Sequence, residues 1–261
     1  MRSLNIAATG MLAQQRNIEV ISNNISNSNT TGFKRQRAEF ESLLYQDIRR
    51  PGAESSVNGD VVPSGVQLGA GVRTAGVSRI LEQGSVEVTN APFDLAINGD
   101  GFFQVEMPNG ETAYTRAGSF QLSQDGEIVT TDGFTIQPGI VIPENATDVT
   151  INQDGQVFVK LDGQVAPQEV GQLELARFQN PNGLEAVGDN LFLETQASGA
   201  PNVAAPNTEG FGAIRQGALE NSNVEVVNEI TNMIEAQRAY EMNSRVIQTS
   251  DRMMQTLNQM R

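Results

Sequence analysis

Apolar residues recur every seven positions at both ends of the chain: Leu4, Met11, Ile18 and Ile25 at the front, Val226, Met233, Tyr240, Ile247 and Met254 at the back. Such a repeat lays one stripe along one side of a helix and calls for another helix to cover it. The spacing predicts a first helix over residues 3–26. Asn23, Asn24, Asn27 and Asn29 then compete for its backbone hydrogen bonds, and Gly32 can take a positive φ. The second helix is expected to start at a capping box, with Ser222 as N-cap and Glu225 reaching back, and to run to Arg261 without Pro or Gly. A helix of about forty residues is roughly 60 Å long, more than a domain of this size needs. The ends are therefore expected to meet helices, their own or those of other copies, and to order on docking. The positions between the stripe residues, Ala236, Asn243 and Ser250, are small or polar, and a second stripe of Val246, Met253 and Met260 lies beside the first. Two stripes and small residues suit a helix touching several neighbours in a packed tube.

Between the ends the pattern changes. Residues 34–46 read as a short helical continuation with Phe40, Leu43 and Leu44 on one face. Residues 47–80 are punctuated by Pro51, Gly52, Gly59, Pro63, Gly65, Gly69, Gly71 and Gly76, which predicts an extended arm or hairpin that buries little by itself. From about residue 86 short β-prone runs are separated by Asp-Gly pairs at 100–101, 125–126, 132–133, 154–155 and 162–163, a hairpin signal. The predicted strands are 101–106, 120–122, 127–130, 149–152, 156–160, 171–178 and 191–194. Residues 195–210 read as a polar exit loop, and 211–219 as a strand returning toward the ends. The fold class is α+β: long terminal helices, an extended β arm and a mainly antiparallel β centre. The expected divisions are 1–33, 34–85, 86–215 and 216–261.

Charge sharpens this division. Net charge is −14 over 261 residues. Residues 1–50 carry +3, residues 221–261 carry −1 and residues 51–220 carry −16. The nearly neutral ends can pack closely, and the acidic middle favours water. Nucleic acid is not expected as a partner, because Lys34, Arg35 and Arg37 form the one basic cluster and read as a turn after a helix. No apolar run is long enough to cross a bilayer, and the amphipathic N-terminus lacks an ordinary secretory signal, so export would use another route.

The chain has no Cys, no His and two Lys. That removes thiolate and imidazole metal sites, the commonest general base and the commonest soft nucleophile. Asn98-Gly99-Asp100-Gly101 and Asn152-Gln153-Asp154-Gly155 lack a full calcium-loop pattern and read as turns. Gly69-Ala70-Gly71 lacks the third glycine and the helix of a dinucleotide site. The pair Asp125/Glu127 brings no sign of a cleft. No catalytic residue, cofactor or metal is expected. The competing class is a ligand-binding β domain or enzyme with helical oligomerisation ends.

Residues 21–35 (ISNNISNSNTTGFKR), 91–105 (APFDLAINGDGFFQV) with 114–120 (YTRAGSF), and 217–257, centred on QRAYEMNS, resemble the bacterial flagellar rod and hook proteins. Residues 45–73 resemble the arm of the family's distal rod members more than that of its hook or proximal rod members, which stay open as alternatives. The resemblance implies that both termini form a coiled-coil core (D0-like) lining a tube, that a Dc-like arm lies over neighbouring subunits, and that a D1-like β domain faces outward. It also implies a helical homopolymer acting as a drive shaft. Its partners would be the proximal rod proteins, the hook protein, the P- and L-ring proteins as bushings and the flagellar (type III) export apparatus. Subunits would reach the periplasm without signal cleavage and would not insert in a membrane. Self-assembly would fall to Leu4, Met11, Ile18, Ile25, Val226, Met233, Tyr240, Ile247 and Met254, and the arm contacts to Tyr45, Pro51, Gly52, Pro63, Gly65 and Gly69.

Overall fold

The computed structural model describes residues 2–50, 52, 64–164 and 166–260. Pro51 and Pro63 of the expected arm contacts lie outside the described residues. The chain forms two compact units: Met1–Ser26, Gln36–Ile80 and Glu225–Arg261 in one, Asn27–Arg35 and Leu81–Val224 in the other.

The first unit holds two helices, α1 (Arg2–Ser26) and α2 (Val226–Gln259). At ~1.5 Å per residue, the 34 residues of α2 span about 50 Å. Asn24, near the end of α1, donates to Glu229, near the start of α2, at 3.1 Å. Near the other end of α1, Gly10 faces Asn243. The helices therefore run antiparallel.

The expected helix over 34–46 is not formed. Strands β1 (Gln36–Ser42) and β2 (Tyr45–Arg49) occupy it, paired antiparallel with β4 (Val72–Arg79) and β3 (Val66–Gly69) respectively. The cause is a period-two pattern. Arg37, Glu39 and Glu41 share one face, where Arg37 pairs with Glu39, Glu39 accepts from Ser78, and Glu41 pairs with Arg73. Ala38 and Phe40 share the other, opposite Val77 and Thr74. A bulge between Glu39 and Phe40 shifts the register there.

The capping box is not formed either. Glu225 is the N-cap of α2 and makes no side-chain cap bond. Its carboxylate accepts from Asn228, while Ser222 Oγ accepts from the Val224 amide at 3.3 Å in a local turn. Glu225, being the N-cap itself, reaches forward into the first helical turn to Asn228 and not back to Ser222.

The second unit is antiparallel β throughout its pairings. Phe102–Glu106 is its hub, pairing with Thr112–Thr115, Thr135–Ile136 and Leu175–Arg177. Ala146–Ile151, Gln156–Leu161 and Gln168–Gln172 form a second sheet, so the single strand expected over 171–178 is two pieces in two sheets. The returning segment is also two strands, Ala213–Gln216 and Ala218–Glu220, paired with Leu95–Asn98 and Val86–Val88. Gly217 at φ +69 separates them. Within the expected exit loop, Asn202–Ala204 pairs with Leu175–Arg177. Alternation along the hub sends Phe103 and Val105 to one side and Phe102 and Gln104 to the other. Phe103 joins Ile128, Val157, Val159 and Leu175 in the main core, and Phe102 joins Tyr114, Ala176 and Phe178 in a smaller one.

Candidate assembly faces and a buried ionic centre

The centre of the helix pair is built from small and polar residues. On α2, Glu229, Ala236 and Ser250 are buried, and Asn243 stands in the same seven-residue series. On α1 the buried residues are Ala7, Ala13, Ile21 and Asn24. A Cβ at Gly10 would stand 2.9 Å from the Asn243 side-chain amide nitrogen, so the Asn243 side chain packs directly on the glycine. The Asn24 amide accepts from the Gln36 backbone N–H and donates to the Gln36 carbonyl, both at 2.8 Å, which fastens the start of β1 to α1. At the other end of the ribbon Gly71, at φ +124, sits against the Thr9 hydroxyl, which accepts from the Val72 N–H at 3.4 Å.

The expected assembly residues flank this seam. Leu4, Met11, Ile18, Ile25, Met233, Ile247 and Met254 are half-buried, and Val226 and Tyr240 are exposed. The second stripe, Val246, Met253 and Met260, is exposed along α2, as are Val227, Ile230 and Ile234. In the arm, Tyr45 is exposed with its ring over Gly69, Gly65 is half-buried, and Gly52 takes a φ of +80. Leu44, 90 % exposed, is the most open large apolar residue of the described chain.

The second unit contains a feature that sequence reasoning missed. Lys34, part of the cluster read as a basic turn, is buried with its Nζ 2.6 Å from Glu220 Oε1. Arg116 Nε lies 2.7 Å from Glu220 Oε2. The Arg116 guanidinium also donates to the carbonyls of Ile97, Gly99 and Gly101, and Lys34 donates to the Glu82 carbonyl. Glu220 accepts in addition from the Gly84 amide at 3.0 Å. Burial pushes the Glu220 carboxyl up, but the Arg116 charge and the Lys34 hydrogen bond more than offset it and hold it below its ordinary value. Burial lowers the Lys34 amine, and Glu220 opposes that only in part. The three side chains tie together four stretches of chain that are far apart in sequence: the loop around Gly32, the 81–84 segment, the 97–101 turn and the strand ending at Glu220. Gly32, at φ +71, donates its amide to the Glu220 carbonyl and passes so close to the backbone of Arg116 and Ala117 that a Cβ would stand 2.6 Å away. The signal was in the quoted stretches: Lys34, Arg116 and Glu220 each fall within one of them.

Nothing in this arrangement is set up for bond chemistry. Lys34, Arg116 and Glu220 are spent on one another and on backbone carbonyls, and among the described residues no cluster of three or more Asp or Glu could hold a metal ion. The Asp154-Gly155 turn is closed by Asn152, whose side-chain oxygen accepts from the Asp154 and Gln156 amides.

Three family models match the chain: the flagella basal body rod protein over residues 4–34, the flagellar hook protein FlgE/F/G D1 domain over 96–159, and the flagellar basal body rod FlgEFG protein C-terminal region over 215–260. The chain is 60% identical over 261 residues to the flagellar basal-body rod protein FlgG of Caulobacter vibrioides, covering all of both chains. It is 48% identical over 263 residues to FlgG of Borreliella burgdorferi, covering 100% of this chain and 99% of that one. To FlgG of Bacillus subtilis it is 38% identical over 262 residues, covering 98% of each. The matched regions include both helices, the hub strand and the residues of the ionic centre except those in unmatched loops. The chain belongs to the FlgG family of flagellar basal-body rod proteins, structural subunits of the rod and not enzymes.

Proposed function

We propose that the chain is a subunit of the distal rod that polymerises into a helical tube, carries motor torque toward the hook and forms part of the export channel. The contact between copies is heterologous and non-closing, which generates a helix rather than a ring. The paired termini form the tube's coiled-coil core, with Leu4, Met11, Ile18, Ile25, Val226, Met233, Tyr240, Ile247 and Met254 at the contacts between copies. The arm carrying Tyr45, Gly52, Gly65 and Gly69 lies along neighbouring subunits. Proximal rod proteins and the hook protein adjoin the polymer, and the ring proteins surround it as bushings. Subunits reach the periplasm through the flagellar export apparatus without signal cleavage.

One observation carries this reading: among the described residues α1 and α2 pair mostly through small and polar residues and bury one large apolar side chain, Ile21, while the others stay half-buried or in water. Fully burying one such side chain contributes about 1.5–3 kcal/mol, so their exposure in one copy is a strong drive toward others. The test is Ile247→Asp. The variant is expected to form no tubes by electron microscopy while its β unit keeps its circular dichroism spectrum. Normal tubes from the variant would remove the seam assignment.

A further inference from the structure

Within the second unit, Leu81, Gln83, Phe102, Arg116, Arg177 and Phe178 line an open cleft of about 250 Å³ that Lys34 also borders. Its apolar wall is the edge-to-face pair of Phe102 and Phe178, with ring centroids 6.1 Å apart. Its charge runs against its surroundings. Residues 51–220 hold six Lys/Arg against 22 Asp/Glu, yet Arg116 and Arg177 from that span and Lys34 all border this one hollow. Lys34 and Arg116 are buried and held by Glu220 behind the wall, and Asp100 lines the cleft as well, so the three cations against two carboxylates leave one positive charge, carried at the surface by Arg177. At the mouth, the half-exposed Arg177 guanidinium pairs among the described residues with Asp100, 3.7 Å away and itself exposed. A pair that long in water contributes little, so Arg177 can exchange it for a better-placed carboxylate.

The same unit carries shapes that complement the hollow. The Asp132-Gly133 turn joins strands Ile128–Thr130 and Thr135–Ile136, and the Asp162-Gly163 turn joins Gln156–Leu161 and Gln168–Gln172. Both aspartates are exposed, and at Gly133 and Gly163 a Cβ would meet nothing within 4 Å. Each turn thus offers one exposed carboxylate beside an uncrowded glycine.

We infer that this cleft is a basic socket that receives an aspartate-tipped β-hairpin, at Asp132 or Asp162, from a neighbouring copy of the chain. The carboxylate pairs with Arg177 while the hairpin backbone lies against Phe102 and Phe178. Socket and tip are different surfaces of one molecule, so the contact is head-to-tail, the kind that builds an open helix when its rotation does not close. Opposite charge at socket and tip fixes register between units whose remaining surfaces repel. This inference rests on the polymerising-subunit reading above.

The experiment uses the full chain under conditions where the wild type forms tubes. Arg177→Glu is expected to lower the sedimentable fraction on the order of tenfold, and Asp132→Lys or Asp162→Lys in the same chain to restore it. A second measurement does not depend on a charge change. The chain has no Cys, so tubes of Gln179→Cys mixed with Asp132→Cys or Asp162→Cys should give a dimer band under oxidation with one of the two tips. Wild-type tubes that Arg177→Glu leaves unchanged, with no dimer from either tip, overturn the socket and leave the rod reading standing. A wild type that never assembles overturns the rod reading, and the socket with it.

Discussion

In the strand unit Phe103, Val157 and Leu175 are withdrawn completely from water, and Glu220, Arg116 and Lys34 are taken in with them. In the helical unit Val227 is 71 % exposed, Met260 is 74 % exposed, and the residues at the centre of the helix pair are mostly Ala, Asn, Ser and Gly, with Ile21 and Glu229. The two units are built from one chain with one stock of apolar residues, so composition does not explain the contrast. Arrangement does. The strand unit closes its core on itself and tolerates buried charge because every buried polar side chain among the described residues has a partner. The helical unit stops short of closure. An isolated two-stranded ribbon is marginal in water, and an amphipathic helix draws most of its stability from packing. The first unit has both and covers neither fully.

The contrast can be broken most sharply at the ionic centre. Glu220→Ala leaves two buried cations without their anion, and is expected to lower the unfolding free energy of the strand unit by about 3–5 kcal/mol in urea melts. Acid should do the same more gently. The Glu220 carboxyl is held below its ordinary value of 4.5, so its contribution is present above that pH and is lost as pH falls through the depressed folded-state value. Urea midpoints at neutral pH and at stepwise lower pH should therefore fall on the acid side, and the fall should shrink in Glu220→Gln. Asn24→Ala removes three hydrogen bonds and leaves the backbone of Gln36 and the buried Glu229 short of a donor or acceptor. About 1–3 kcal/mol is expected, read as faster amide exchange in β1 and the start of α2, with the strand unit unaffected. The smallest effect on stability is expected at Val246→Asp, whose side chain is already in water. Its melting should stay within about 0.5 kcal/mol of the wild type while tube formation fails. A large stability loss there would mean that α2 is covered within one copy after all.

How much of this was legible depended on whether the deciding interaction was local. The seven-residue period gave α1 to within a residue, 3–26 against Arg2–Ser26. The Asp-Gly pairs at 125–126, 132–133, 154–155 and 162–163 each lie between two paired strands, and in each the glycine takes the positive φ while the aspartate does not. The pair at 100–101 does not. Its flanking strands do not pair with each other: Leu95–Asn98 pairs with Ala213–Gln216 and Phe102–Glu106 with Thr112–Thr115, and the carbonyls of Gly99 and Gly101 accept from Arg116. Residues 34–46 were misread because Leu43 and Leu44 mimic a helical face, while the partner that makes this stretch a strand lies some thirty residues on, at Val72–Arg79. The seven-residue stripes were visible from periodicity, but the seam that pairs the helices runs three residues further along α2, where Ala236, Asn243 and Ser250 were noted only as small or polar positions and Glu229 was not noted. The ionic centre was hidden for the plainest reason. Lys34, Arg116 and Glu220 are separated by 104 and 186 positions in the hydrogen bonds that join them, and no local pattern announces such a meeting.

The thin seam between α1 and α2 has a mechanical meaning. With Gly10 against Asn243 and Ala236 and Ser250 beside it, little hydrocarbon holds the two rods of helix together, and at roughly 25 cal/mol per Å² such a join is weak. It is a clasp and not a weld, and the two rods are expected to part before the strand unit melts, read as faster amide exchange along both helices.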